Sequence, residues 1–129
     1  MDADTSNSKA SSGAGWCFSI IIDNAQEAIA VLDACDIVRY ANIAWAKMHG
    51  YEHRSEIAGK HISDFHSKEQ FIANVLPLLR EAGSRCQISG PVEHIRKNGA
   101  KVPTCTTMIA LKDKTGKVRG IVVFAADIS

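Results

Sequence analysis

The fold is decided by residues 85–129, which read RCQISGPVEHIRKNGAKVPTCTTMIALKDKTGKVRGIVVFAADIS. Two turn signals divide this stretch: Asn98-Gly99, the dipeptide most typical of a tight β-hairpin, and the weaker Thr115-Gly116. We therefore predict a three-stranded antiparallel meander formed by Arg85–Lys97, Ala100–Asp113 and Lys117–Ile128.

Two-residue loops at both turns would set the register of this meander. Lys97 then faces Ala100, and Ile109 faces both Ile88 and Val122. A one-residue bulge would shift the register upstream of it. In the unbulged register, the predicted core wall consists of Ile88, Val92, Cys105, Thr107, Ile109, Val122 and Phe124. The opposite face is half polar, so we expect another element to cover part of it; it carries Glu93, Ile95, Val102, Thr104, Met108, Ile121 and Val123.

Upstream of the meander, short strands alternate with short helices, which together with the meander predicts an α+β fold. Apolar residues at helical spacing predict the helices, and cap residues predict their ends. In order, the predicted elements are a helix over Phe18–Ala25, strands Ala28–Asp33 and Ile37–Ala41, a helix between the caps Asn42 and Gly50, and a helix over Lys68–Gly83 that Pro77 should kink or split.

Composition restricts the class of protein. The chain has 129 residues, 46% hydrophobic and 22% charged, which is typical of one globular domain. The formal charge of +1 lacks the basic excess of nucleic-acid binders, and no apolar run approaches the roughly 20 residues of a membrane span. We predict a flexible leader over residues 1–15, either a native linker or an expression remnant, and a single domain over residues 16–129.

The four cysteines, Cys17, Cys35, Cys86 and Cys105, contain no C-x-x-C pair, which disfavours zinc-ribbon and thioredoxin-type readings. Reduced thiols in a cytoplasmic protein are the simpler interpretation, because no secretory signal is visible.

Four linked segments resemble the PAS domain family of the S-box type. They are Ala28-Ile-Ala-Val-Leu-Asp with Asp36-Ile-Val-Arg-Tyr-Ala-Asn42, then Met48-His-Gly-Tyr51 with Ser55-Glu-Ile-Ala-Gly-Lys60, then Val92-Glu-His-Ile-Arg-Lys-Asn-Gly-Ala-Lys-Val-Pro103, and finally Asp113-Lys-Thr-Gly-Lys-Val-Arg-Gly120 leading to Asp127-Ile-Ser129. Each segment alone is a weak signal, but four in the family's order and spacing are a strong one.

This resemblance implies a five-stranded antiparallel sheet in the order 2-1-5-4-3 with short helices on one face. It implies a sensory or signal-relay module that binds a small ligand in an internal cavity, with an output domain, such as a histidine kinase of a two-component system or a cyclase, beyond Ser129. A ligand-free dimerisation and protein-interaction spacer is the alternative. We expect no enzymatic activity in this fragment, since its residues carry no P-loop, G-x-S-x-G or H-E-x-x-H motif.

The candidate chemistry is limited. The haem alternative would use His66 or His61, although the surrounding sequence matches the haem-binding pattern poorly, and capping or surface histidines are the simpler interpretation. A flavin photoadduct is not expected, because the stretch Gly59–Phe65 lacks the reactive cysteine of the light-sensing motif. No metal site is predicted, and the cofactor stays open. Trp45 could stack on a planar ligand, though a tryptophan on an amphipathic helix is more often core.

Three groups of residues carry the functional expectations. The ligand cavity is expected to be lined by Trp45, Phe71, Val75, Thr107, Ile109, Val122 and Phe124. A homodimer is expected through Phe18, Ile21 and Ile22 together with the half-polar sheet face, with no nucleic acid or membrane contact in the fragment. The signal is expected to leave through Asp127 and Ile128, the Asp127 carboxylate being held by Arg85, His94 or Lys101.

Overall fold

The computed structural model describes residues 20–129 and shows an antiparallel five-stranded sheet with helices on one face. The sheet order is β2-β1-β5-β4-β3, which confirms the predicted fold class. The strands are β1 (Ala28–Asp33), β2 (Val38–Ala41), β3 (Gln87–Ile95), β4 (Lys101–Lys112) and β5 (Val118–Asp127).

The helices lie between β2 and β3 in the chain. Residues 20–24 are also helical, and the predicted interface residue Phe18 lies outside the described residues. The segments are α1 (Ile43–His49), 3-10 turns at Arg54–Glu56 and Ile62–Phe65, α2 (Lys68–Gln70), a π-helical turn at Phe71–Val75 and α3 (Leu76–Arg85). The irregular turn comes directly before Pro77, where the sequence predicted a break, because proline has no N–H for the preceding turn.

The register of the β3–β4 hairpin differs from the prediction by one residue. The loop has three residues rather than two: the Arg96 N–H donates to the Ala100 carbonyl at 2.7 Å, and Gly99 takes a positive φ of 89°. Val92 therefore pairs with Thr104, and Ile88 with Met108. A shift of one residue exchanges the two faces of a strand, so the predicted core wall was wrong for β4 and β5.

The β4 and β5 side chains that face the helices belong to the face that the sequence analysis placed opposite the predicted core wall. The buried side chains of β4 and β5 are Val102, Thr104, Thr106, Met108, Ile121, Val123 and Ala125. The other sheet face, here called the outer face, carries an exposed Cys105 and the half-buried Thr107, Ile109, Val122 and Phe124. Ile88 and Val92 do lie on the core side, since only their partners were misassigned.

The β4–β5 hairpin also has a three-residue loop, closed by the Asp113 N–H donating to the Lys117 carbonyl. Here a bulge between Leu111 and Lys112 restores the register, so Ile109 pairs with Val122 as predicted. Beside this bulge Gly120 lies against β1, and a Cβ atom on it would sit 2.4 Å from the Leu32 carbonyl oxygen. Only glycine permits this approach of the two strands.

Candidate functional site

Three buried histidines meet between the sheet and the helices. His49 ends α1, His94 lies on β3, and His66 follows the 3-10 turn Ile62–Phe65. His49 and His94 are fully buried and His66 is 5% exposed. We call these three residues the histidine cluster.

The cap residues of α1 place His49 in this cluster. The Asn42 side chain accepts hydrogen bonds from the Trp45 and Ile29 N–H groups at 2.9 and 3.0 Å, and it is fully buried. Gly50 ends the helix in the left-handed conformation, with φ 79°. Both caps were predicted and are confirmed, and they fix the single helical turn that separates Trp45 from His49.

Two of the histidines belong to a continuous hydrogen-bonded chain. His49 Nδ1 contacts the Trp45 carbonyl at 2.7 Å and His49 Nε2 contacts His94 Nδ1 at 2.8 Å. His94 Nε2 contacts Thr106 Oγ1 at 3.0 Å. Thr106 Oγ1 contacts Thr104 Oγ1 at 2.8 Å, and Thr104 Oγ1 donates to the Val92 carbonyl at 2.8 Å. We call this the Trp45–Val92 chain, after the two backbone carbonyls that end it.

The ends of this chain assign the tautomers of both rings. A carbonyl oxygen only accepts, so His49 must carry its proton on Nδ1. In the neutral ring Nε2 is then an acceptor, and His94 must in turn donate from Nδ1 and accept at Nε2. The same reasoning places a proton on Nδ1 of His66, which contacts the Ile62 carbonyl at 3.0 Å.

Burial keeps the three rings neutral near pH 7. Desolvation lowers the pKa of His49 and of His66 from 6.5 to about 4 in each case, and the carbonyl contact of each ring only partly opposes this. The pKa of His94 is lowered further by the same cause, with smaller contributions from His66 and His49. The cluster therefore offers neutral donors and acceptors rather than positive charge.

Aromatic rings pack closely around the cluster. The Trp45 ring lies 4.4 Å from that of His49, 5.4 Å from that of Phe65 and 5.7 Å from that of His94, measured between centroids. The His66 and His94 rings are 4.5 Å apart. Within the described part of the chain, the indole Nε1 of Trp45 is the one buried side-chain nitrogen or oxygen without a hydrogen-bond partner. Such an orphaned donor is rare in folded proteins and calls for an explanation.

The predicted cavity residues separate into two groups. Trp45 and Val75 lie in the core, and Phe71 packs at its edge, where its ring is 5.9 Å from that of His61. Thr107 and the rest of the predicted wall on β4 and β5 lie on the outer face, away from the helices, for the register reason given above. The residues that replace them in the wall are His94, Thr104, Thr106, Met108 and Val123.

Sequence reasoning did not bring His49, His66 and His94 together and missed the cluster. His61 acts locally, since its Nδ1 accepts from the Ser63 N–H at 3.1 Å and caps the 3-10 turn. Among residues 20–129, no group of three or more histidine, cysteine or acidic side chains is arranged to hold a metal ion. A signal for the cluster was present, because Val92 and His94 alternate on one strand as Thr104 and Thr106 do on the next. These two pairs fall on the same face of the sheet only when the hairpin loop between the strands has three residues, so the predicted two-residue loop concealed the signal.

The C-terminal residues are held differently from the expectation. The Asp127 carboxylate accepts from the Ser129 N–H at 2.9 Å and from the Ser129 hydroxyl at 2.6 Å, and these two bonds lower its pKa. None of the three partners proposed from the sequence contacts it, and Arg96 is the basic residue that acts on it electrostatically. The Ile128 N–H donates to the Pro103 carbonyl at 3.0 Å, so the chain stays attached to β4 up to that residue.

An open groove lies beside Asp127. It has a volume of about 530 Å³ and runs between the end of β5 and one side of α1. Its walls include Glu27, Ala44, Lys47, Met48 and Asp127.

No helix among residues 20–129 has both the length and the apolar character needed to cross a bilayer.

A family model described as PAS domain matches residues 26–129 of the chain. No curated protein sequence matches.

Solved structures agree on the fold. The PAS domain of a protein from Colwellia psychrerythraea superposes with a TM-score of 0.80 at 14% identity, covering 85% of this chain and 92% of that one. A PAS domain from a two-component sensor histidine kinase gives a TM-score of 0.73 at 20% identity, covering 90% and 98% of the two chains. The PAS domain of an HTR-like protein from Haloarcula marismortui gives 0.73 at 15% identity, covering 96% and 99%.

Proposed function

This chain belongs to the PAS domain family, and we propose that it is the sensory and signal-relay domain of a larger signalling protein, binding a small ligand between its helices and its sheet. The observation that supports ligand binding is the buried, unpartnered Nε1–H of Trp45. Leaving such a donor unpaired costs about 1–3 kcal/mol, which an acceptor atom on a bound ligand would recover.

The surroundings of Trp45 restrict the ligand. The buried polar side chains of the described residues are neutral: Asn42, His49, His66, His94, Thr104 and Thr106. A charged ligand would meet no opposite charge there and would lose its hydration. The aromatic rings are in contact with one another, so the ligand must be small. We therefore propose an uncharged molecule with at least one hydrogen-bond acceptor.

The proposed signal path runs from the cluster along the sheet. Thr104 and Thr106 belong to the Trp45–Val92 chain, and on β4 they pair with Asp127 and Ala125 of β5. A change in packing at the cluster therefore reaches the last strand through one layer of backbone hydrogen bonds. Asp127 and Ile128 then set the direction in which the chain leaves the domain, toward an output domain such as a histidine kinase in the cytoplasm.

The ligand is tested on Trp45 with a matched control. Wild-type protein, Trp45→Phe and Thr107→Val are purified in the same way and compared by native mass spectrometry and absorbance. Trp45→Phe keeps an aromatic ring but removes the N–H, while Thr107 lies on the outer face. We expect a retained small molecule in wild type and in Thr107→Val, and a loss of about tenfold or more in Trp45→Phe. Equal retention in all three proteins would contradict the placement.

The alternative function is a ligand-free relay and dimerisation spacer. The ring contacts around Trp45 favour it, because a core that packs against itself needs no ligand. Two results together would support it. The purified wild-type protein would retain no small molecule, and adding the small-molecule fraction of the lysate would not raise its stability to unfolding.

We also propose a homodimer, with a corrected surface. Met108, Ile121 and Val123 are buried in the core and are not available. The apolar outer face is available instead, together with Ile21, which is 68% exposed, and Ile22. Light scattering on Ile21→Glu and on Ile109→Glu tests the two parts separately. Each variant should shift the mass toward the monomer, and a wild-type mass would remove that residue from the interface.

A further inference from the structure

The Trp45–Val92 chain has fewer hydrogen-bonding hydrogens than it has polar contacts between its members. It makes five contacts of 3.0 Å or less and ends at a carbonyl on both sides. In the neutral state, its members supply four hydrogens: one from each of His49, His94, Thr106 and Thr104. One contact therefore has no hydrogen of its own, and the Thr104 hydroxyl must divide its hydrogen between the Thr106 oxygen and the Val92 carbonyl.

We propose that the Trp45–Val92 chain binds a single excess proton, shared by His49 and His94, and that this makes the domain responsive to acid. With a fifth hydrogen, His94 donates from both ring nitrogens, Thr106 donates to Thr104, and Thr104 donates to Val92. Every contact is then a complete hydrogen bond. A second proton would put two donors face to face between the two rings, so the chain accepts one only.

Other groups around the pair oppose the uptake and set its range. Burial is the largest effect, and it lowers the pKa of His49 to about 4. The titratable and charged groups that act on the pair are His66, next to the 3-10 turn, and Arg96, near the end of β3, and both disfavour a further positive charge. The response therefore lies in moderately acidic solution, well below the ordinary range of histidine.

Removal of the Thr104 hydroxyl tests the hydrogen count without touching either ring. In Thr104→Val the chain ends at Thr106, with three contacts and three hydrogens, so it is complete when neutral. Protonation of His94 would then leave Thr106 without an acceptor. We expect the proton affinity of the pair to fall about tenfold, which moves its titration by about one pH unit to lower pH. Thr107→Val, on the same strand but on the outer face, is the control.

The measurement is nitrogen-15 NMR of labelled imidazole rings between pH 7 and about pH 2.5, with sucrose added to keep the domain folded. In wild type and in Thr107→Val, His49 and His94 should shift together in one step, from the Nδ1–H tautomer. In Thr104→Val that step should move to lower pH, while the separate step of His66 stays in place. Independent steps for the two rings, or an unmoved step in Thr104→Val, would overturn the proposal.

Acid unfolding gives a second readout if a variant unfolds before its rings titrate. The steepness of the transition with pH counts the protons taken up on unfolding. Midway between the two titrations the folded wild type holds about half a proton more than folded Thr104→Val, so wild type should take up about half a proton fewer on unfolding there. Equal proton numbers for the two proteins would overturn the proposal as well, and neither result depends on a bound ligand.

Discussion

Acidification from pH 7 to pH 5 should destabilise this domain far more than an ordinary PAS-sized domain with surface histidines. The cause is the histidine cluster, whose three rings are neutral in the fold but free to take up protons in the unfolded chain. For His49 and His66 the folded pKa is about 4 and the unfolded value is 6.5. Because the folded pKa is the lower one, the unfolded state binds more protons below pH 6.5, and stability falls as the pH falls toward 4.

The magnitude follows from the two pKa values. At pH 5 an unfolded histidine is almost fully protonated while a folded ring with a pKa near 4 is largely neutral. The difference in stability between pH 7 and pH 5 is then about 2 kcal/mol for each ring. His94 acts in the same direction, so the three rings together should remove about 5 kcal/mol. That is a large part of the roughly 5–15 kcal/mol that holds a typical domain folded.

Urea unfolding followed by tryptophan fluorescence at a series of pH values measures this effect. The control is His53→Gln, because His53 is exposed and lies outside the histidine cluster. His66→Gln, provided that it folds at pH 7, should reduce the stability lost between pH 7 and pH 5 by the contribution of one ring, about 2 kcal/mol. A stability that is the same at pH 5 and pH 7 would show that the rings are already charged or accessible in the fold, and the reasoning would fail.

Two further variants test how the site is held in place, both by urea unfolding at pH 7. Gly120→Ala should cost at least about 2 kcal/mol, because its Cβ would overlap the Leu32 carbonyl, whereas Gly83→Ala, which meets no atom within 4 Å, should change stability by less than about 1 kcal/mol. Asn42→Ala should cost about 2–4 kcal/mol, since it leaves the buried N–H of Trp45 without its acceptor; a cost below about 0.5 kcal/mol would contradict the capping role.

Local sequence signals were sufficient for the elements of this fold. Asn42 and Gly50 mark the two ends of α1 because their side-chain and backbone preferences act within a few residues. Asn98-Gly99 and Thr115-Gly116 mark both hairpins for the same reason, and Pro77 marks the irregular helix. The order of the strands came from resemblance to a family rather than from the residues themselves.

The position of the site depended on the register, which local signals do not determine. Asn98-Gly99 is most typical of a two-residue loop but also fits a three-residue loop with glycine at the positive-φ position, and the difference moves every side chain of a strand to the other face. At the second hairpin the same error was cancelled by the bulge beside Gly120, so the pairing of Ile109 with Val122 was correct for a different reason.

Polar residues misled the choice of face as well. The sequence by itself determined that Thr104 and Thr106 share one side of β4 with Val102 and Met108, and the predicted register assigned that half-polar face to the side opposite the core wall. The tertiary structure decided otherwise, because these polar groups satisfy one another. Each hydroxyl and ring nitrogen of the Trp45–Val92 chain has a polar partner only when α1, β3 and β4 bring its members within 3.0 Å of one another. That compensation needs α1 to meet a β3–β4 hairpin about 40 residues further along the chain, and no single stretch of sequence contains it.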